Sequence, residues 1–347
     1  MARRARSREG IARRKARVRR ARLPARWPDP KPAAGKTPQG RGARVVHLTE
    51  ARRRTVAHRL IVARRRAAAQ GRPGRETEST APAALDFHLS ACVACARAGG
   101  RVLMEYWSRR GSYPIQEKGK NDFVTIADRQ AEEAVVGLIR ERFPDHSIMA
   151  EESSPSIGPS PYRWYIDPLD GTTNFIHGYP LFSVSVGLAD AQGMRAAAVF
   201  DPLRNEMFTA ARGRGAFLNG EPIRVSAAEK LSQALLVTGF PFRSLDRLDA
   251  FLASFRSFIL GASGIRRDGS AALDLAYVAC GRYDGFWEMS LSPWDVAAGS
   301  LLVREAGGVV TDFRGRDDFL RTGDIVAANL NVHPPMLRVL RESEGKG

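Results

Sequence analysis

Apolar residues recur at helical spacing in two stretches that open the last three quarters of the chain. Leu85, Leu89 and Val93 lie close to one helical face and predict a helix over 85–107. A second periodic stretch predicts a helix over 126–143, which a following proline ends. A polar stretch rich in Gly and Lys separates the two.

Short apolar or alternating runs follow, and they predict strands joined by turns. The predicted strands cover 147–150, 163–166, 183–188, 194–200, 206–211, 234–238, 264–267, 283–287 and 309–312. The turn dipeptide Asn219-Gly220 ends a further short run. Three more helices are predicted between these strands, over 245–260, 271–280 and 293–306. Mixed helical and strand patterns of this kind indicate an α/β or α+β fold.

Charge divides the chain at about residue 85. Residues 1–85 hold 25 Lys and Arg against 5 Asp and Glu, a net charge of +20. Residues 86–347 hold 29 against 32, a net charge of −3. Because the first part is rich in Arg, Ala, Pro and Gly and poor in aromatic residues, we expect residues 1–84 to form a disordered basic extension, with its best helical candidate over 48–69. Residues 85–347 are long enough to bury a full core and are expected to form the folded domain.

Three interpretations of the basic extension are open. Clustered Lys and Arg attract nucleic acid without sequence preference. An Arg-rich, acid-poor segment is also typical of targeting peptides, although this one is long and poor in serine. Alternatively, the start site is assigned too far upstream.

Composition narrows the class of protein. No apolar run reaches the ~18–20 residues of a membrane span, and no secretory signal is visible. Three cysteines give no disulfide framework. Cys92 and Cys95 form a CxxC pair, open to a redox or zinc function, but the pattern favours small buried residues on a helix. We therefore expect a cytoplasmic protein.

Acidic residues from separated segments suggest a shared site. Asp167 and Asp170 follow an apolar strand and precede a glycine and two threonines, Glu151 follows another strand, and Asp295 begins a predicted helix. Taken singly, these are a turn dipeptide, a solvated acid and a helix cap. Taken together, hard carboxylate oxygens suit Mg²⁺, and a glycine–hydroxyl turn that opens a helix suits a phosphate.

Five segments in order resemble the inositol monophosphatase family of Mg²⁺-dependent, Li⁺-sensitive phosphatases. They cover 122–128, 151–153, 166–175, 269–272 and 294–299, within a region that extends from about residue 85 to residue 340. The resemblance implies the five-layered α-β-α-β-α sandwich of the inositol monophosphatase and fructose-1,6-bisphosphatase type. It also implies a homodimer and a reaction in which a water molecule attacks a phosphate monoester directly.

The resemblance assigns roles to the acidic residues. Glu151, Asp167 and the carbonyl of Leu169 would hold one Mg²⁺, and Asp167, Asp170 and Asp295 would hold a second, while a third ion would rest largely on Glu151. The catalytic residues would be Glu151, Asp128 and Thr172, with the Thr172 hydroxyl orienting the attacking water and Asp128 polarising that hydroxyl. The amides of Gly171 and Thr172 would receive the phosphate.

The resemblance also points to the substrate. Glu288 stands where inositol-acting members accept hydrogen bonds from ring hydroxyls, and Ala271 falls where they line the ring site; the alternative for Glu288 is a surface acid. We therefore expect a phosphatase for inositol monophosphate or a similar polyol phosphate. The alternatives are histidinol phosphate, fructose 1,6-bisphosphate, 3′-phosphoadenosine 5′-phosphate or NADP⁺, or a nucleic-acid-associated regulatory protein that uses the basic extension.

Four further residues carry weaker signals. Lys118 stands where the family has a lysine on a mobile loop, with a spacing one residue shorter than in some members. Arg266 and Arg267 are candidates for a substrate or a subunit contact. His177 follows the acidic segment but has no partner at ligand spacing.

Overall fold

The computed structural model describes residues 81–344 except Arg110, Ser112, Lys120, Asn121 and Arg243, and describes side chains from Phe87 onward apart from those of Lys118 and Asp122. The basic extension, including the helix predicted over 48–69, lies outside these residues. No helix in the described part is both long enough and apolar enough to cross a membrane.

The first half of the described chain builds one long sheet. Its strands are β3 (Ser147–Ala150), β4 (Arg163–Asp170), β5 (Ser183–Asp190), β6 (Gly193–Asp201), β7 (Glu206–Ala211), β8 (Ala216–Leu218) and β9 (Glu221–Ile223). They follow one another in chain order across the sheet, and only the β3–β4 pair is parallel. The β8–β9 connection is the predicted turn, in which both Asn219 and Gly220 have positive φ, 51° and 89°.

The helices of this half cover one face of the long sheet. They are α1 (Ala81–Trp107) and α2 (Ile126–Arg142), with a small hairpin of β1 (Ile115–Gly119) and β2 (Asp122–Thr125) between them. Alternate strand residues such as Val184, Val186 and Leu188 point into the core beneath these helices. A short helix, α3 (Thr172–His177), follows β4 directly.

The second half builds a five-stranded sheet. In spatial order its strands are β11 (Gly264–Arg266), β10 (Leu235–Thr238), β12 (Gly285–Glu288), β14 (Ile325–Ala328) and β13 (Val309–Thr311). Its helices are α4 (Leu248–Gly261), α5 (Ala271–Ala279), α6 (Pro293–Glu305), α7 (Phe319–Thr322) and α8 (His333–Glu344). Two 3₁₀ turns, Leu231–Gln233 and Leu245–Arg247, precede β10 and α4.

Three hydrophobic cores define five layers. One core lies between α1, α2 and the long sheet. A second surrounds α5 and α6 and includes inward residues of both sheets. A third lies between the five-stranded sheet and α4 with α8. The five-layered α-β-α-β-α sandwich predicted from the resemblance is confirmed, with α5 and α6 as its central layer.

Two glycines, Gly187 and Gly299, allow the central helical layer to lie close to its neighbours. A Cβ at Gly187 of β5 would fall 3.2 Å from the backbone nitrogen of Ala298 on α6. A Cβ at Gly299 would fall 2.5 Å from the Cβ of Leu275 on α5. Real Cβ atoms essentially never approach to 2.5 Å, so the spacing of α6 from α5 depends on glycine at 299. A Cβ at 187 would require α6 or β5 to shift by a few tenths of an ångström.

Secondary structure departs from the predictions in several places. The predicted polar stretch after α1 contains the β1–β2 hairpin, whose alternation is masked by charged residues. Helices α3, α7 and α8 and strands β9 and β14 were not predicted; α3 and α7 are short, and β14 is a fully buried Ile-Val-Ala-Ala run without alternation. The helix predicted over 245–260 begins as a 3₁₀ turn.

Candidate active site

Strand β4 carries two carboxylates to the edge of the long sheet through an irregular register. Asp167 pairs with Ser185 and Asp170 pairs with Ser183, so three steps on β4 oppose two on β5. This bulge makes room for a local bond in which the amide of Leu169 donates to Asp167 Oδ1 at 3.0 Å. Both carboxylates consequently lie at one end of the strand on fixed backbone.

Helix α6 brings a third carboxylate to the same place. Ser185 Oγ donates to the carbonyl of Trp294 at 3.3 Å, which ties the start of α6 to the residue that faces Asp167. Asp295 Oδ2 accepts from the amide of Ser292 at 2.8 Å as part of a capping box. The capping interpretation of Asp295 is thus correct, and it is compatible with a role in the site because the cap is what orients the carboxylate.

Strand β3 brings the fourth. The amide of Glu151 donates to the carbonyl of Ile166 at 3.2 Å, so Glu151 leaves the sheet next to Asp167. The amide of Glu152 donates to Glu132 Oε2 on α2 at 2.8 Å, which anchors the loop behind it. Glu132 is buried, and sequence reasoning missed it because an acid on a helix is ordinarily solvated.

These four carboxylates, Glu151, Asp167, Asp170 and Asp295, are called the acidic cluster below. Burial is the largest cause that raises the pKa of Asp167 well above its usual range, followed by the charges of Glu151, Asp170 and Asp295. Three carboxylates around a buried fourth repel one another and are costly in the absence of a cation.

The donor set of the acidic cluster fits Mg²⁺, since it consists of hard oxygens drawn from three segments. In the part of the chain that the structure describes, no three His, Cys, Asp or Glu side chains already form a ready metal site. The four carboxylates nevertheless line one pocket.

Asp170 has donors of its own from the second half of the chain. Its Oδ2 accepts from Ser270 Oγ at 2.5 Å and from the amide of Ala272 at 2.7 Å. Burial raises the pKa of Asp170 to about 6, against the lowering effect of these hydrogen bonds. Ser270 and Ala272 were not predicted as site residues, although both lie in the segment that carries the family resemblance.

Gly171 turns the chain from β4 into α3. Its φ of 95° lies in the left-handed region, and a Cβ there would fall 3.1 Å from the carbonyl oxygen of Leu181. Since α3 has only six residues, its dipole is small, and any anion binding would rest on the amides of Gly171 and Thr172 themselves.

The predicted contact between Thr172 and Asp128 is present. Thr172 Oγ1 lies 3.0 Å from Asp128 Oδ1 and 3.1 Å from the carbonyl oxygen of Leu169, so it can donate to either. Asp128 Oδ2 accepts from the amide and the hydroxyl of Thr125, at 2.9 and 2.7 Å. Burial raises the pKa of Asp128 to about 6, against the lowering effect of the Thr125 bonds.

One pocket of about 360 Å³ joins these groups. Its lining includes all but one of the predicted site residues: Glu151, Asp167, Leu169, Asp170, Gly171, Thr172, Ala271, Glu288 and Asp295. The exception, Asp128, lies behind Thr172 and reaches the pocket only through that hydroxyl.

Another part of the pocket wall holds Glu288 and an aromatic surface that was not predicted. A Cβ at Gly239 would overlap the Glu288 carboxylate, so glycine at 239 admits this side chain to the pocket. Beside it stand Phe240 and Phe242, which are 37% and 45% exposed, and the Arg267 guanidinium, which lies over both rings. Phe240, Phe242 and Arg267 are called the aromatic rim. In the sequence, only the Phe-Pro-Phe segment over 240–242, which closely follows a predicted strand, could have indicated this aromatic surface.

The remaining candidates lie elsewhere. Arg266 is exposed, and its Nη1 donates to the carbonyl of Ile265. His177 Nδ1 pairs with the carbonyl of Thr173 on its own short helix. The side chain of Lys118 lies outside the described ones. Cys92 and Cys95 are both buried on α1, as the non-redox interpretation expects, and burial raises the pKa of both thiols.

Comparison with known proteins agrees with this geometry. A sequence model of the inositol monophosphatase family matches residues 85–344. The protein named Nus factor SuhB from Pseudomonas aeruginosa is 48% identical over 258 residues, which are 73% of this chain and 95% of that protein. The chain also superposes on the crystal structure of the extragenic suppressor protein suhB of Bartonella henselae with a TM-score of 0.71 and 42% identity, over 74% of this chain and 99% of that one. It superposes on the structure of an inositol monophosphatase from Anabaena with a TM-score of 0.67 and 42% identity, over 75% of this chain and 97% of that one.

Proposed function

Because the chain belongs to the inositol monophosphatase family, we propose that it is a Mg²⁺-dependent phosphomonoesterase that hydrolyses inositol monophosphate or a similar polyol phosphate. The observation that carries this proposal is that one pocket is lined by the acidic cluster, the Gly171–Thr172 turn and Glu288. Carboxylates suit the ions, backbone amides suit the phosphate, and a further carboxylate suits hydroxyl groups.

The acidic cluster would hold two or three ions. Glu151, Asp167 and the Leu169 carbonyl would hold one, Asp167, Asp170 and Asp295 a second, and Glu151 most of any third. Bound Mg²⁺ supplies an activated water and neutralises charge on the phosphate and the leaving oxygen. The protein contributes fixed carboxylate positions, because each acid follows a strand end, a bulge or a helix cap.

Thr172 and Asp128 would position the attacking water. While the Thr172 hydroxyl donates to Asp128 Oδ1, its oxygen lone pairs remain available to accept a hydrogen bond from a water in the pocket. This arrangement requires an ionised Asp128, since a protonated carboxyl would compete as a donor. The water is then oriented toward a phosphate held by the amides of Gly171 and Thr172, in line with the leaving alcohol.

Glu288 and Ala271 would contact the leaving alcohol. A carboxylate at Glu288 accepts hydrogen bonds from hydroxyls and repels a second phosphate, which favours a polyol monophosphate over a bisphosphate. Ala271 begins α5 beside Ser270 and leaves space for the ring because its side chain is small.

The test is a phosphate-release screen with and without Mg²⁺. Its substrates are inositol 1-phosphate, glycerol 2-phosphate, histidinol phosphate, fructose 1,6-bisphosphate, 3′-phosphoadenosine 5′-phosphate and NADP⁺. We expect the highest kcat/KM for inositol 1-phosphate, and no turnover in an Asp167→Asn variant. Release of phosphate that is independent of Mg²⁺ and unaffected by Asp167→Asn would contradict the proposal. The same preparation tests inhibition by Li⁺ and, by light scattering, the proposed homodimer.

A second candidate function rests on the basic extension. The matched relative named as a Nus factor aligns with 73% of this chain, and the family match begins at residue 85, so a net charge of +20 lies before the family region. Lys and Arg at this density would bind the phosphates of RNA or DNA with steep salt dependence. We propose a nucleic-acid-associated regulatory role as the alternative. It predicts that RNA binding falls sharply between 50 and 200 mM salt and disappears when residues 1–84 are deleted; equal binding without them excludes this role for the extension.

A further inference from the structure

Arg267 lines the pocket, and it differs from several partly exposed arginines of the second half of the chain in what holds it. Arg247 pairs with Asp324, Arg282 with Glu206, and Arg304 with Asp317. Within the described residues, Arg267 makes neither a salt bridge to a carboxylate nor a hydrogen bond. A guanidinium carries five N–H donors, so this side chain brings hydrogen-bonding capacity into the pocket that its described neighbours do not use.

Aromatic rings set its position instead. The Arg267 Cζ lies 5.3 Å from the ring centroid of Phe240 and 5.7 Å from that of Phe242. The two rings meet edge to face at 5.8 Å, and Phe240 is backed in the same way by Phe251 of α4 at 5.7 Å. Stacking of a planar guanidinium on fixed rings orients its N–H groups without neutralising them.

Residues next to the aromatic rim in sequence connect it both to Glu288 and to the acidic cluster. Gly239, which admits Glu288, directly precedes Phe240. A Cβ at Gly269 would overlap the Arg267 guanidinium, and Gly269 directly precedes Ser270, which donates to Asp170. A leaving group bound between Glu288 and the acidic cluster would therefore meet Arg267 and the half-exposed rings.

We infer that the aromatic rim selects phosphate esters of cyclic polyols over those of open-chain polyols. A six-membered polyol ring presents hydroxyls around its edge and an apolar C–H surface on its faces. Glu288 can accept from hydroxyl protons while Arg267 donates to hydroxyl oxygens, and the C–H surface can pack against Phe240 and Phe242. An open-chain polyol has no such face and loses more rotational freedom on binding. This inference rests on the proposed phosphatase function and names Arg267 as a specificity residue.

The experiment compares two esters of secondary alcohols, inositol 1-phosphate and glycerol 2-phosphate, at saturating Mg²⁺. In Arg267→Met we expect kcat/KM for inositol 1-phosphate to fall about 10-fold, through KM, which corresponds to about 1.4 kcal/mol. The value for glycerol 2-phosphate should stay within about twofold. Arg267→Lys should fall between Arg267→Met and the wild type for the cyclic ester, because it keeps the charge but not the planar stacking. Phe242→Leu, at a half-exposed position, should lower the cyclic ester's value about threefold.

Arg266→Met is the matched control, since it removes the neighbouring exposed arginine whose guanidinium bonds only to backbone. It should leave both esters unchanged. Thermal unfolding and light scattering are measured for every variant. Equal changes in kcat/KM for both esters in Arg267→Met would overturn the inference and assign Arg267 to the phosphate. A loss of activity that accompanies a change in oligomeric state would also overturn it and assign Arg267 to a contact between copies. If the wild-type protein hydrolyses both esters and Arg267→Met keeps their ratio, the inference alone fails; if the wild type hydrolyses neither, the proposed function fails with it.

Discussion

The acidic cluster and the aromatic rim line one pocket but are built in different ways. Asp167 is 2% exposed, and it is held by a strand bulge and by hydrogen bonds from backbone. Phe242 is 45% exposed and is held by contacts between rings and a guanidinium. The difference teaches that backbone geometry determines the chemical half of this site, whereas exposed side chains determine the half that would meet the leaving group.

Changes on the acidic side should therefore affect turnover with every ester, and changes on the rim side should affect discrimination between esters. Buried polar groups have few alternative positions, so their replacement is felt by any substrate. Half-exposed rings can be replaced with little loss of stability. The following predictions test this division, beginning with the largest effect.

Asp295→Asn should lower kcat on the order of 10³-fold for both inositol 1-phosphate and glycerol 2-phosphate, because metal ions supply several kcal/mol of charge stabilisation. The Asn side chain can still accept from the amide of Ser292, so the melting temperature should change by only a few degrees. Phosphate release and thermal unfolding are the measurements. Unimpaired turnover in this variant is the result that contradicts a role in ion binding.

Asp128 should produce an acid limb in the pH profile. Its pKa of about 6 means that the ionised form, which accepts from Thr172, is populated only above that pH. With saturating Mg²⁺, kcat should rise between pH 5 and 7. Asp128→Asn should lower kcat about 10²-fold and flatten this limb for both esters. A limb that persists unchanged in the variant would show that another group titrates.

The raised pKa of Asp128 affects stability in the opposite direction to activity: activity should increase as the pH rises, whereas stability should decrease. Burial raises the folded-state pKa of Asp128 from 3.8 to about 6, so the folded protein binds this proton more tightly than the unfolded chain does. The stabilising contribution is present below pH 4 and is lost as the pH rises through about 6. In Asp128→Asn, the decline of the free energy of unfolding between pH 4 and 6 should be smaller than in the wild type, as measured by denaturant titration.

Ser270→Ala should weaken the response to Mg²⁺ about 10-fold, because Asp170 loses a hydroxyl donor while the amide of Ala272 remains. Both esters should be affected alike when the Mg²⁺ concentration is varied. Ser254→Ala is the control: its hydroxyl is equally buried on α4 and donates only to the carbonyl of Phe251. An equal loss in the control would attribute the effect to general destabilisation.

Glu288→Gln belongs to the other wall and should produce the smallest effect. KM for inositol 1-phosphate should rise about fivefold, since a neutral amide accepts weaker hydrogen bonds than a carboxylate. KM for glycerol 2-phosphate should change less. Steady-state kinetics with both esters decide the matter, and equal changes would remove Glu288 from substrate recognition.

The sequence predicted the acidic side more fully than the rim. In the sequence, the four carboxylates follow predicted strand ends or begin a predicted helix. Such positions can be recognised from periodicity and turn residues, and the family resemblance assigns all four to one site. Ser270 was not predicted as a site residue, because it lies 100 residues after Asp170, the carboxylate to which it donates. The aromatic rim was not predicted, because in the sequence Phe240 and Phe242 look like ordinary apolar loop residues. Only the fold shows that Arg267 lies over their rings.

The fold shows the same limit. Periodicity located α1 and α2, whose buried faces are regular, but it missed β14, which is buried on both sides and so has no alternation. It also missed the β1–β2 hairpin, whose first strand is Ile-Gln-Glu-Lys-Gly. Layer order came only from the resemblance, since no local pattern records which face of a sheet receives which helix.

Gly299 has a consequence for how descendants of this chain can diverge. The residue lies one helical turn beyond Asp295, and a methyl group there would meet Leu275 at 2.5 Å and push α6 away. An alanine at 299 is therefore compatible with the present placement of Asp295 only when residue 275 becomes glycine in the same lineage, because any other side chain keeps the Cβ that would be met. Substitutions at these two positions should accordingly occur as a pair among functional descendants, although neither side chain is expected to touch a substrate.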